Sequence, residues 1–91
     1  MNPTGQGSSM DRKIFTMGLS VEAVSLYILC CSLVDQGRTV SSRNILPVWN
    51  SSEKDLESAF VELERSGIAR RILSDLAGNE VFRIMDSGEW R

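Results

Sequence analysis

Residues 49–68 read Trp49-Asn-Ser-Ser-Glu-Lys-Asp-Leu-Glu-Ser-Ala-Phe-Val-Glu-Leu-Glu-Arg-Ser-Gly-Ile68, and their spacing predicts a capped amphipathic helix. Leu56, Ala59, Phe60 and Leu63 recur at i, i+3, i+4 and i+7, which puts them on one face of a 3.6-residue helix. Either Asn50 with Glu53 or Ser52 with Asp55 has the spacing of a capping box, in which a short side chain accepts from the third helical N–H. Gly67 stops the helix, because the left-handed residue that ends most helices costs little only for glycine.

Working outward from this helix, the chain of 91 residues suits one globular domain with a modest core. Hydrophobic residues make up 42% and charged residues 24%, so the body reads as neither disordered nor membrane-embedded. No apolar run reaches the ~18 residues of a spanning helix. Residues 1–10 are rich in Gly, Ser, Asn, Pro and Thr and lack the basic start and apolar stretch of a secretory signal. They are expected to form a loose tail of a cytoplasmic protein, ahead of a domain over 11–86 and a polar C-terminal tail over 87–91. Trp90, in that tail, docks either on the body or on a partner.

Histidine is absent, and with it the commonest general base and metal ligand. Neither an enzyme, nor a catalytic residue, a metal site or a cofactor is expected. Cys30 and Cys31 stand side by side in an apolar helix pattern, which suits small core residues better than a disulfide or a zinc site. Ten Lys and Arg against twelve Asp and Glu give a formal charge of −2. Binding to nucleic acid therefore requires a local basic surface.

Upstream, residues 11–19 have a mixed pattern in which Ile14, Phe15 and Met17 form either a short strand or an extra turn. Ser20 caps a helix from Val21 to about Gln36, stopped by Gly37. Its apolar residues, Val21, Ala23, Val24, Leu26, Tyr27, Ile28, Leu29, Cys30, Cys31, Leu33 and Val34, cover nearly its whole circumference. Such a helix is buried on more than one side, so a homodimer through the Val21–Val34 helix is expected, with a helix wrapped by its own chain as the alternative. Val40 follows in a short extended segment. Ser41 or Ser42 caps a brief second helix that Pro47 keeps short. After Gly67 the period changes to two. Residues 68–75 and 81–85 alternate as strands, with Leu76-Ala-Gly-Asn79 as the turn of an antiparallel hairpin.

This order resembles the winged helix-turn-helix domains of bacterial transcription regulators over about Leu19 to Met85. Leu56, Phe60, Leu63, Gly67 and Ile68 match the third helix of that family and its exit into the wing. The resemblance implies an α+β, mainly α fold of three helices with a C-terminal antiparallel β-hairpin wing. It also implies double-stranded DNA as partner, read by the third helix in the major groove while the wing contacts phosphate or the minor groove. Carried over to this sequence, the DNA-binding residues are Lys54, Ser58 and Arg65 on the third helix, and Ser51 and Ser52 at its start. Arg43 on the short helix and Arg70, Arg71 and Arg83 on the hairpin complete the set.

The charge of the third helix departs from the family. Glu53, Asp55, Glu57, Glu62 and Glu64 stand against Lys54 and Arg65, a balance of −3. Like charges brought within the Debye length of about 8–10 Å repel phosphate. The alternative is therefore a protein-interaction module of the same fold that does not bind DNA, its acidic third helix facing a basic partner. A plain solvated face, with Glu62 paired to Arg65 at i, i+3, accounts for the same acids.

Overall fold

The computed structural model describes residues 10–75 and 78–91. The segment expected as an N-terminal tail lies, except for Met10, outside them, as do Leu76 and Ala77 of the hairpin turn. The described chain is mixed α+β and mainly helical, with three α-helices followed by a two-stranded antiparallel hairpin. No helix among the described residues is long and apolar enough to cross a membrane.

A 3-10 turn, Arg12–Thr16, precedes the first helix and buries Ile14, so the mixed segment is an extra turn and not a strand. Helix α1, Val21–Asp35, begins at Ser20, whose Oγ accepts from the Ala23 N–H at 3.1 Å. In a capping box the third helical residue returns the bond with a carboxylate. Here that residue is Ala23, and the carboxylate of Glu62 takes its place from 42 residues away. Its two oxygens accept from the Ser20 N–H at 2.8 Å and from the Ser20 hydroxyl at 2.7 Å. The sequence expectation that Glu62 pairs with Arg65 is thereby corrected. A fixed donor pair at a helix end holds the carboxylate better than a flexible neighbour in water.

Helix α2, Ser42–Ile45, is capped by Ser41 and passes into a 3-10 turn, Leu46–Val48, containing Pro47. Helix α3, Glu53–Arg65, is capped by Ser52, which settles the choice left open between Asn50 and Ser52. Both long helices end in the same way. Gly37 and Gly67 adopt φ of 71° and 72°. Beyond them, Arg38 and Ile68 donate back to the Leu33 and Leu63 carbonyls at 2.8 and 2.9 Å, the six-residue bond of a Schellman turn. At Gly67 a Cβ would also stand 2.8 Å from the Glu89 carbonyl, so a larger residue is excluded on two grounds.

Strands β1, Ala69–Ser74, and β2, Glu80–Ile84, pair antiparallel, with Ala69 opposite Ile84 and Arg70 opposite Arg83. The register shifts between Arg71 and Leu73. The uninterrupted alternation expected for β1 therefore fails at Ile72, and both Ile72 and Leu73 are exposed. A third extended piece joins the hairpin, because Phe82 N–H donates to the Val40 carbonyl at 2.8 Å and Ser41 bridges Val81.

Leu56, Ala59, Phe60 and Leu63 of α3 pack on Ala23, Leu26, Tyr27, Cys30, Cys31 and Leu33 of α1, with Ile45, Ile68 and Phe82 closing the core. Phe60 and Phe82 stack nearly parallel, 5° between planes and 3.7 Å between centroids. Trp90 docks on the body. It is 7% exposed, meets Tyr27 edge-on at 5.4 Å, and donates its Nε1–H to the Met85 carbonyl at 3.0 Å. Arg91 N–H donates to the Ser66 carbonyl at 2.7 Å, fastening the chain end to the end of α3.

Two predictions concern stability. Removing the acceptor of both Ser20 donors in Glu62→Ala should cost about 1 kcal/mol, or roughly 5 °C in thermal midpoint for a domain of this size. Ser20→Ala in the same background should cost about a further 1 kcal/mol, because the Ser20 Oγ still caps the Ala23 N–H when Glu62 is gone. The second concerns Asp11. Its carboxyl lies below the ordinary 3.8, held there first by the Ser87 hydroxyl and then by the Lys13 N–H. A depressed value stabilises the fold above the unfolded pKa and is lost as pH falls through the folded one. The thermal midpoint of Asp11→Asn should thus fall less than that of the unchanged chain between pH 5 and pH 2, which a melting series would measure.

Candidate nucleic-acid interface

The outward face of α3 follows from its inward one. With Leu56, Phe60 and Leu63 in the core, Lys54, Ser58, Val61 and Arg65 recur at i, i+4, i+7 and i+11 and are all exposed. The flanking acids are largely committed inside the chain. Glu62 holds the start of α1. Glu64 accepts from Arg71 at 3.3 Å. Asp55 accepts from the Ser51 hydroxyl, and its backbone N–H donates to Ser52 Oγ at 3.1 Å. Among the described residues, Glu53 and Glu57 are the two acids of α3 without a side-chain partner. Glu53 lies in the first turn, where the helix dipole favours a negative charge.

Arg71 differs from the other arginines of the hairpin. It reaches Glu64 at 3.3 Å and Glu80 at 3.2 Å, and its guanidinium lies 5.6 Å from the centre of the Phe82 ring. Its charge is neutralised within the fold, and it clasps the hairpin to α3. Arg70 and Arg83 stand on the opposite side of the strands. They are direct cross-strand partners, both exposed, and neither has a carboxylate partner among the described residues. Two like charges placed opposite one another repel, and an anion laid across both would relieve the repulsion.

Ser58, Val61, Arg65 and Arg71 border one open recess between α3 and the hairpin, together with Glu57 and Glu80. Arg70 faces a second recess with Arg91, Glu64 and Glu89. Arg43 is exposed on α2, and its backbone N–H donates to Asn79 Oδ1 at 3.1 Å, which places it beside the hairpin turn. Ser42 joins the same knot, accepting from the Glu80 N–H at 2.9 Å. Ser51 lies apart from this surface, lining a groove with Val21, Ile28, Val48 and Trp49. The residues proposed from sequence thus divide. Lys54, Ser58 and Arg65 share one helix face, Arg70 and Arg83 pair on the outer side of the hairpin, and Ser51 and Ser52 use their hydroxyls on the start of α3.

Burial raises the thiols of Cys30 and Cys31 above their ordinary 9.0, so neither is an activated nucleophile at neutral pH. Among the described residues, no three His, Cys, Asp or Glu side chains converge on a metal position. The groove beside Trp49 had no signal in the sequence beyond the all-round apolar pattern of α1. The pairing of Arg71 had none, since Glu64 and Glu80 reach it from different elements. No family model, no curated protein and no solved structure matches the chain.

Proposed function

We propose that this chain is a winged-helix DNA-binding protein, a cytoplasmic transcription regulator that lays the outward face of α3 against duplex DNA. One observation carries the reading. The acids that gave the third helix its unfavourable balance are largely turned into intrachain contacts, and the stripe between them is Lys54, Ser58, Val61 and Arg65. The helix supplies two cations and a hydroxyl where a reading helix presents them to base edges and phosphates. Arg43 on α2 and the Arg70–Arg83 pair on the hairpin neutralise flanking phosphates, while Arg71 holds the two elements in register. Hairpin and helix then act as one rigid reading head.

A second reading retains the fold and replaces DNA with a basic protein partner. Glu53 and Glu57 favour it, since these exposed carboxylates flank the cationic stripe and repel phosphate.

A fluorescence-anisotropy titration with random duplex separates the two. If Arg43, Lys54, Arg65, Arg70 and Arg83 all meet phosphate, affinity should fall roughly 500-fold between ~50 mM and ~200 mM salt, from a slope near −0.9 per contact. Lys54→Ala and Arg65→Ala should each weaken binding and reduce that slope by about 1. Glu57→Lys should strengthen it. The absence of binding at low salt, with Glu57→Lys equally silent, would overturn the DNA reading in favour of the protein module.

A further inference from the structure

Helix α1 buries most of its apolar circumference within the chain but leaves Val21, Ser25, Ile28 and Ser32 toward solvent. These residues are spaced by four, three and four, the period at which a second helix packs alongside. Large residues alternate with small ones, and the stripe carries no charge. Val21 is 77% exposed and Ile28 40%. Beside the stripe runs a shallow groove lined by Leu29, Val48 and Trp49, with Glu22, Asn50 and Ser51 at its edge. The Trp49 wall is fixed, its Nε1–H donating to the Ser52 carbonyl at 2.9 Å.

We propose that this face pairs α1 with the α1 of a second copy of this chain, antiparallel about a two-fold axis. A two-fold contact has to fit itself, because each copy presents the same patch. Read backwards, Val-Ser-Ile-Ser becomes its own complement. Val21 lies against Ser32 of the second copy and Ile28 against Ser25, and the axis repeats both contacts. Ser25 lets the backbones approach while Ile28 fills the space above it; at Ser32 the Gln36 amide, which donates to the Ser32 hydroxyl oxygen at 3.0 Å, moves aside for Val21. A parallel pair would instead set large on large and small on small, leaving gaps at the serines, and would align the two helix dipoles unfavourably. The same stripe supplies both ridge and complement, which selects a second copy over an unrelated helix.

The geometry sets the test. The axis falls between residues 26 and 27, so a rise of 1.5 Å per residue offsets the two Ile28 positions by about 4–5 Å along the helix and the two Val21 positions by about 16 Å. Sedimentation equilibrium of the full chain without DNA, at tens of micromolar, should return twice the 10.1 kDa chain mass. A short bismaleimide should then cross-link Ile28→Cys and leave Val21→Cys uncross-linked, with Cys30 and Cys31 silent because they are buried. Ile28→Glu should weaken association at least ~10-fold by placing a charge at the contact. A circular-dichroism spectrum checks that this variant is folded. Should it fail to fold, Ser25→Leu, which fills the space reserved for Ile28, has to weaken the dimer in its place. A monomeric mass for the unchanged chain would overturn the proposal and leave the groove to a helix of another protein. Equal cross-linking at both positions, or a dimer unmoved by these substitutions, would overturn the antiparallel contact. DNA plays no part in these measurements, so this inference and the DNA-binding reading fail separately.

Discussion

The stack of Phe82 on Phe60 is the contact on which the rest of the arrangement depends. Phe60 comes from the inward stripe of α3 and Phe82 from the centre of the hairpin, and the two rings lie nearly parallel in the core. The amide of Phe82 donates to the Val40 carbonyl, and the guanidinium of Arg71 lies 5.6 Å from the centre of its ring. Three segments distant in sequence therefore converge on one residue. Its removal would empty a volume that neither rigid neighbour can refill, at about 3–5 kcal/mol, a large part of the stability of a small domain.

Around that stack the charges of α3 have a structural use that changes their functional meaning. A carboxylate free in water beside phosphate is a repulsive charge. A carboxylate that already accepts two hydrogen bonds, as Glu62 does from Ser20, is partly compensated by local donors. Glu64 is offset more directly by Arg71, which Glu80 shares. The helix thus keeps a negative formal balance while its outermost line is cationic and polar. That distribution, more than the net charge, is what a ligand meets at short range, where screening by salt is incomplete.

The same economy of contacts explains why α1 is not wrapped completely. A chain of this size has α3 for one side of α1 and the two terminal turns, through Ile14 and Trp90, for another. The α2 turn with Val48 and Trp49 reaches only the edge of the remaining side. The apolar stripe left there is what a small core cannot cover by itself. It runs along α1 from Val21 to Ser32, and the groove beside it reaches Ser51 just ahead of α3.

The sequence by itself determined the local elements, because their signals are local. Spacing of apolar residues set the bounds of α1 and α3, Ser20 the start of α1, Gly37 and Gly67 the ends of both, and Pro47 the brevity of α2, while the choice of Ser52 over Asn50 as the cap of α3 waited for the structure. The inward and outward faces of α3 followed from the same periodicity, and so did the stripe of Lys54, Ser58, Val61 and Arg65. Tertiary structure alone decided the partners. Glu62 completes a cap on another helix, Arg71 is neutralised by two acids from separate elements, the bulge at Ile72 breaks the strand alternation, and Trp90 enters the core. A side chain within one turn of its neighbours has few choices, so its pattern is legible in order. One whose partner lies 42 residues away, as Glu62's does, is assigned only when packing of the apolar faces has brought the two together.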